Sequence, residues 1–248
     1  MHIASYLRHL AVPATLATSL ALAGCASSGN PKDPWESYNR VVYRFNTQVD
    51  DYLMKPVARG YNYLLPAVVR QGLGNVYNNV GEVRNIGNNL LQGKGEYAAD
   101  SFARLLVNTT FGIAGLFDIM TPAGVPAREE DFGQTLAVWG VADGPYFVLP
   151  LLGPSTVRDT GGMGGDYVFG VIDNFDSIRA RNAYTAARIV HKRSELLTAT
   201  TLVDEAALDA YSFARDGYLQ RRRFVIHDGN PPREYDPDDP ESPEPAEK

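Results

Sequence analysis

Chemistry-bearing residues are scarce in this chain. It has one cysteine, Cys25, and four histidines, of which His2 and His9 fall in the first nine residues. A single cysteine excludes an intramolecular disulfide and any Cys-x-x-Cys metal or redox motif. No His-Glu-x-x-His pair and no Gly-x-Ser-x-Gly elbow occurs. His191 sits in a His-Lys-Arg cluster and reads as a solvated position on a helix surface, and His227 borders the C-terminal tail. The glycine string from Gly161 to Gly165 follows Arg158-Asp159, but Asp166 comes next where a phosphate loop needs Gly-Lys-Ser/Thr. Close packing or a turn is the plainer reading of that string. The chain is therefore expected not to be an enzyme, with no cofactor and no metal.

Long apolar runs are also missing. After Cys25 no 18 consecutive apolar residues occur, which excludes a conventional transmembrane helix. Short broken apolar pieces remain, and such elements are allowed at membrane depth where their backbone is buried in protein or lines a cavity. Basic excess is absent too. Lys and Arg number 23 against 29 Asp and Glu, so a nucleic-acid partner is not expected.

The ends carry the clearest signals. Residues 1–24 read as a signal peptide, with Arg8 ahead of the apolar stretch Leu10 to Ala21, which is too short to span a bilayer. Leu22-Ala23-Gly24-Cys25 resembles the bacterial lipobox. The resemblance implies acylation of Cys25, and Ala26 in place of aspartate implies outer-membrane delivery. Residues 25–32 form the lipidated linker. Residues 228–248 hold eight acids, two bases and six prolines and carry the whole net charge of −6, so the body is nearly neutral. Such a segment cannot bury enough apolar area to fold and reads as a disordered tail.

Between these ends, residues 33–227 suit one mainly α domain broken by Gly/Pro-rich loops. Asp33 reads as an N-cap with Pro34 at the first helical position and Glu36 completing a capping box. Trp35, Tyr38, Val42, Phe45 and Val49 follow at helical spacing, as an aromatic face for either core or membrane. Lys55-Pro56 ends or bends this segment. A second helix covers Ala67 to Leu91. One stripe is apolar (Val76, Val80, Val83, Ile86, Leu90), and another is polar (Asn75, Asn78, Asn79, Glu82, Asn85, Asn89), facing either solvent or a pore. Tyr97 to Val107 reads as a third helix with Phe102, Leu105 and Leu106 inward, followed by the apolar run Phe111 to Met120. Residues 145–154 hold three prolines and cannot be a regular helix or a central strand. Ala180 to Phe224 reads as two or three helices, and no run of alternating strands is expected.

Two blocks go beyond pattern. The first is Asp33-Pro34-Trp35-Glu36-Ser37-Tyr38-Asn39-Arg40 with Tyr43-Arg44-Phe45-Asn46. The second is Phe132 to Val141, then Gly144-Pro145-Tyr146-Phe147-Val148-Leu149-Pro150-Leu151-Leu152-Gly153-Pro154-Ser155, then Arg158-Asp159. Together they resemble the MlaA (VacJ) family of outer-membrane lipoproteins over roughly residues 25–225. The resemblance implies a single ring-like helical domain, membrane-embedded from one leaflet of the outer membrane and anchored on its periplasmic side. It implies an amphipathic channel that takes mislocalised phospholipid from the outer leaflet to a periplasmic carrier of the MlaC type, beside a trimeric porin. Gly140 and Gly144 would give the channel-bordering loop mobility and Pro145 would stiffen it, with Tyr146 beside it. The alternative is a rigid core loop. Arg158 would meet a lipid phosphate or pair with Asp159, and Asn75 and Asn79 are pore-facing candidates. Two other functions stand beside this one. A structural lipoprotein would scaffold a porin without moving lipid, and a periplasmic hydrolase lacks a nucleophile–histidine arrangement.

Overall fold

A computed structural model describes residues 30–172 and 176–233. Helix α1 covers Glu36–Val49 and runs through a π turn, Asp50–Met54, into α2, Lys55–Leu64. Pro56 falls in the first turn of α2, where a missing N–H costs little. The chain therefore continues helically past Lys55-Pro56 until Leu65-Pro66. Helix α3 covers Ala67–Leu91, as its periodicity predicts, and α4 covers Gly95–Thr110. An apolar turn and a Pro/Gly loop lead to α5, Phe132–Val138. Strands β1, Tyr146–Leu149, and β2, Gly153–Thr156, pair antiparallel, with Tyr146 opposite Thr156 and Leu149 opposite Gly153. Helices α6, Val157–Phe169, α7, Ile178–Ala206, and α8, Ala210–Ile226, complete the described chain. The fold is mainly α, and among the described residues no helix is long and apolar enough to cross a membrane.

Among the described residues the hairpin is the one strand element, and the sequence does not predict it. A two-stranded ribbon tolerates its prolines because each strand has a free edge. One edge of β1 is completed by side chains of α1. The Asn39 amide accepts from Val148 N–H (2.8 Å) and donates to the Tyr146 carbonyl (3.3 Å). Two helical turns later, Asn46 donates to the Leu149 carbonyl (2.9 Å) and accepts from Leu151 N–H (2.7 Å). That last contact holds the hairpin turn, where Leu151 takes a positive φ of 64°.

Asp33 is not the cap of α1. The helix begins at Glu36, and Trp35 precedes it without a side-chain cap. Asp33 is fully buried instead. Its carboxylate accepts from Asn39 (2.7 Å) and from the Tyr211 hydroxyl (2.5 Å), and it pairs with Arg215 (3.3 Å). The start of the domain is thus fastened to α8 near its end. Around this point lies a small apolar cluster of Val42, Tyr146, Val148 and Tyr211, flanked by Tyr38 and Tyr43.

Elsewhere the usual distribution is reversed. Among the described residues the buried apolar side chains are few, while buried polar ones include Asn79, Glu82, Asn85, Asn88, Asn89, Ser101, Arg104 and Asn108. Of the Asn/Glu stripe of α3, Asn79, Glu82, Asn85 and Asn89 are buried and pack inward against α4 and the loops beyond it, Asn75 is half-buried and Asn78 is exposed. Helix α4 is inverted relative to its expected orientation: Ser101, Arg104 and Asn108 point in, while Phe102 and Leu106 are more than half exposed. The reason is a buried ion pair. Arg104 Nε meets Glu82 Oε1 at 2.7 Å, with both side chains almost fully enclosed. Arg104 also donates to Thr121 Oγ1 (3.0 Å), the Val125 carbonyl (2.6 Å) and Asp118 (3.2 Å). Satisfying so many charge-assisted bonds outweighs burying two leucine-class side chains.

The apolar run 111–120 is a turn, not a helix continuing α4. Ile113, Ala114 and Gly115 all have positive φ. Asn108 holds it from below, accepting from Ile119 N–H (2.8 Å) and Met120 N–H (3.2 Å) and donating to Asp118 (3.1 Å). Ala114 and Gly115 N–H groups return to the Thr109 and Asn108 carbonyls, both at 2.9 Å. The polar groups of the turn are satisfied inside, so Phe111, Ile113, Leu116 and Phe117 project outward.

Asp33→Ala removes a buried acceptor and leaves Arg215 without one of its carboxylates. It is expected to cost roughly 3 kcal/mol or more. The midpoint of thermal unfolding of the full chain in detergent reads this directly. A midpoint within about 1 °C of wild type contradicts the fastening role, since 1 kcal/mol moves a domain of this size by about 2–4 °C.

Candidate functional site

A cavity of about 330 Å³ opens where α3, α5, β2, α6 and α8 converge. Its lining is strongly charged. Arg84 comes from α3, Glu129, Glu130 and Asp131 from the loop before α5, Asp159 and Asp166 from α6, and Tyr218, Arg221 and Arg222 from α8. Met163, Pro154 and Val225 add apolar surface.

One network builds its wall. Arg222 forks onto Asp131, with Nη1 at 2.5 Å and Nη2 at 2.6 Å from the two carboxylate oxygens. The same guanidinium meets Asp159 at 2.9 Å. The Tyr218 hydroxyl donates to Asp159 Oδ2 at 2.7 Å. Both acids also serve their helices. Asp131 caps α5 by accepting from Gln134 N–H (2.9 Å), and Asp159 lies in the first turn of α6, where a negative charge is favoured. Burial alone would raise the Asp131 carboxyl, but the Arg222 fork and the Gln134 bonds outweigh it and hold the pKa below the ordinary value. Burial and the Asp159 hydrogen bond push the Tyr218 hydroxyl well above its ordinary range, so it stays a donor.

Glycine makes the convergence possible. A Cβ on Gly162 would stand 2.5 Å from the Gly133 nitrogen, and one on Gly165 would sit 2.3 Å from the Phe132 ring. A Cβ on Gly133 would strike the Arg222 and Asp159 side chains at 2.5 and 2.7 Å. The glycine string of α6 is therefore a close-packing device within a helix. Gly161 and Gly164, on the open side, meet nothing.

The candidate residues named from sequence fall outside the cavity lining. Arg158 is buried, and its Nε and Nη2 donate to Asp159 Oδ1, both at 3.1 Å. It also pairs with Asp143 and reaches the Val141 carbonyl (3.5 Å), so it clamps the loop that holds Gly140 and Gly144. Both glycines have positive φ, 87° and 67°, so any side chain there is strained. At Gly144 a Cβ would also press on Val157 at 3.0 Å. Pro145 accepts from Val157 N–H through its carbonyl (3.3 Å), and Tyr146 is buried in the hairpin core. Asn75 and Asn79 face the apolar turn: Asn75 donates to the Leu116 carbonyl (2.9 Å) and Asn79 to Thr109 (2.8 Å). Gly140, Gly144, Pro145, Tyr146 and Arg158 thus form one neighbourhood behind the cavity wall, while Asn75 and Asn79 lie in another. Cys25 lies outside the described residues.

His191 is not solvated. It is buried between α2, α3 and α7, with Nδ1 3.0 Å from the Tyr61 hydroxyl and its ring against Tyr61 and Tyr77. Its neighbour Lys192 does turn outward, to Glu129, while Arg193 pairs with Asp50 at a part-buried site, and these two charges are why the local sequence reads as surface. No group of acids, histidines and cysteines among the described residues could hold a metal ion. The acids and arginines of the cavity were missed because they are scattered over Arg84, 129–131, 159–166 and 218–222. The only local signals are the Glu-Glu-Asp run at 129–131 and the Arg triplet at 221–223.

Fold and site together define a mainly helical protein with apolar side chains outside, mostly paired polar groups within and a charged cavity between its helices. The chain belongs to the MlaA lipoprotein family, whose model matches residues 31–225. It is 34% identical over 222 residues to the intermembrane phospholipid transport system lipoprotein MlaA of Escherichia coli (strain K12), covering 86% of this chain and 87% of that one. The lipoprotein of the same name from Haemophilus influenzae is 32% identical and covers 86% and 89%. An uncharacterized protein of Rickettsia felis is 39% identical over about half of each chain. A solved structure, described as the "Structural basis for maintenance of bacterial outer membrane lipid asymmetry", is similar with a TM-score of 0.70 at 30% identity. That match covers 78% of this chain and 98% of the other.

Burial lowers the His191 pKa below its ordinary value, against the opposing pull of Glu195. The folded state then binds fewer protons than the unfolded state just below the imidazole's usual pKa of about 6.5. The stability His191 contributes is present above that pH and is lost as pH falls through the folded value. Unfolding midpoints measured at pH 7.5 and 5.5 should drop further in wild type than in His191→Gln. Equal drops contradict it.

Proposed function

We propose that this chain is the outer-membrane component of a phospholipid transport route that maintains lipid asymmetry. In this reading it carries out no covalent chemistry. It sits in the periplasm-facing leaflet, anchored through acyl chains on Cys25, and passes phospholipid from the outer leaflet to a soluble periplasmic carrier, beside a trimeric porin. The observation that carries this is the reversed distribution of polarity: polar side chains inside, most of them hydrogen-bonded, a charged cavity, and Phe111, Ile113, Phe117, Leu64, Leu151 and Leu152 exposed. The exposed apolar side chains grouped on the turn from Phe111 to Phe117 form the kind of surface that marks contact with lipid or protein. The 111–120 turn meets the rule for irregular backbone at membrane depth, because its polar groups are bonded within the protein.

The energetics favour such a passage. Exposing two sixteen-carbon chains to water costs on the order of 25 kcal/mol at about 0.8 kcal/mol per CH₂. A route must therefore shelter the tails while the head group stays in a polar environment. The family relationship to phospholipid transport lipoproteins supports the same reading. The loop with Gly140 and Gly144, clamped by Arg158, lies behind the cavity wall, and we assign it the adjustment of the passage.

Surface-exposed phospholipid should rise in cells lacking this protein. Wild type should restore it, and a stably folded Gly140→Val/Gly144→Val variant should do so at most in small part. No rise in the deletion, with porin levels normal, replaces this reading with that of a scaffolding lipoprotein. Cys25→Ala should leave the chain unacylated and absent from outer-membrane fractions. Recovery of normally processed protein in those fractions contradicts lipid anchoring at Cys25.

A further inference from the structure

The cavity holds opposite charges that have not closed on one another. Arg84 Nε donates to the Glu130 carbonyl at 3.1 Å. It stands 4.0 Å from Asp166 Oδ1, beyond hydrogen-bond range. That oxygen already accepts from Phe132 N–H (2.9 Å) and Asn88 (3.2 Å). Among the described residues, the second Asp166 oxygen and the terminal nitrogens of Arg84 have no hydrogen-bond partner. Arg221 is mostly exposed, and its nearest acid, Glu129, is 3.9 Å away.

The other charges are already answered. Arg222 saturates Asp131 and Asp159, and Lys192 donates to Glu129 at 3.1 Å. Glu130 is the exception. It is enclosed, and its cation Lys94 lies 3.9 Å away and is drawn to Asp228 at 2.5 Å. Burial raises the pKa of both Asp166 and Glu130, and Arg84, Asn88, Gln92 and Lys94 do not fully offset it. The cavity thus offers an open guanidinium fork, suited to phosphate, beside the Asp166 carboxylate, whose nearby cation Arg84 stands 4.0 Å off without a hydrogen bond to it.

We infer that this cavity selects phospholipids with an ethanolamine-type zwitterionic head group, binding the phosphate at Arg84 and Arg221 and the ammonium at Asp166. The inference rests on the proposal that phospholipid passes through this cavity. A glycerol-type anionic head group brings a phosphate but no cation. It leaves Asp166 and Glu130 with only the distant Arg84 and Lys94 and adds a like charge beside them. A choline head group is cationic but has no N–H to donate, so it loses the charge-assisted hydrogen bond. The expected order is ethanolamine, then choline, then glycerol.

The test uses full-length lipoprotein in liposomes with equal amounts of tail-matched phosphatidylethanolamine, phosphatidylcholine and phosphatidylglycerol. A benzophenone amino acid is placed at Met163, in the cavity, or at Phe111, on the apolar exterior, and the lipid adducts are identified by mass spectrometry. Relative to Phe111, adducts at Met163 should favour ethanolamine over glycerol lipid by roughly tenfold, the ratio of one charge-assisted contact. Asp166→Asn should bring that ratio close to one. Arg221→Gln, at an exposed side chain, should cut all adducts at Met163 several-fold without changing those at Phe111, and it serves if Asp166→Asn does not fold. No adduct at Met163 while Phe111 is labelled overturns the lipid passage and this inference with it. Adducts at Met163 with the head-group ratio of Phe111 overturn the selectivity alone. Selectivity that survives Asp166→Asn, or adducts unaffected by Arg221→Gln, overturns the assignment to these side chains.

Discussion

The Glu82–Arg104 pair governs how α3 and α4 face each other. Two charges enclosed at 2.7 Å tolerate neither separation nor an empty bonding site, because an uncompensated buried charge costs several kcal/mol. Arg104 has donors to spare after meeting Glu82, and it places them on Asp118, Thr121 and the Val125 carbonyl. One side chain therefore sets the orientation of both helices and fixes the path of residues 111–125. Once the polar faces turn inward, Phe102 and Leu106 of α4 and the apolar side chains of the turn face out, while the apolar stripe of α3 is half-buried apart from the exposed Leu90. Such an arrangement suits an apolar surrounding, where the driving force for burying leucine is weak and the penalty for an unpaired polar group is large.

A second constraint joins the ends of the domain. Asn39 and Asn46 lie two turns apart on α1, so they share a face, and their amides supply the backbone edge that the hairpin lacks. Asp33, just ahead of the helix, binds Asn39 from one side and Tyr211 and Arg215 of α8 from the other. Hairpin, first helix and last helix are thereby one unit. Strand β2 and the start of α6 extend from it directly to the cavity wall. The wall then depends on close helix approach at Gly133, Gly162 and Gly165, since a single methyl group at any of them would strike backbone, a ring or the Arg222–Asp159 pair.

Much of this was legible in the residues. The span of α3 follows from its periodicity, and the long helical C-terminal region resolves into α7 and α8. The glycine string of α6 packs closely, one of the two readings its composition allows. The blocks that carry the family resemblance, around residues 33–46 and 132–159, touch in space: Asn39 and Asn46 come from the first and the hairpin backbone they bind from the second. Side-chain direction was less legible. Phe102 and Leu106 were expected inward and face out. Asn79, Asn85 and Asn89 were expected toward solvent or a pore and are buried, as is His191. The rule that sorts apolar residues inward assumes water outside, and that assumption misleads where polar networks form the interior.

Local pattern determined the first helical segment, the spans of α3 and α4 and the helical C-terminal region, the near-neutral body, the scarcity of nucleophile and metal motifs, and the family resemblance. Each depends on spacing of a few residues or on composition, which a linear chain displays. Tertiary structure decided which face of each helix is inside, the role of Asp33 as a buried fastener rather than a cap, and the existence of the cavity. Arg84, Asp131, Asp159, Asp166 and Arg222 come from four separate parts of the chain. Their pairing energies arise only at separations of a few ångströms, and folding alone brings them that close.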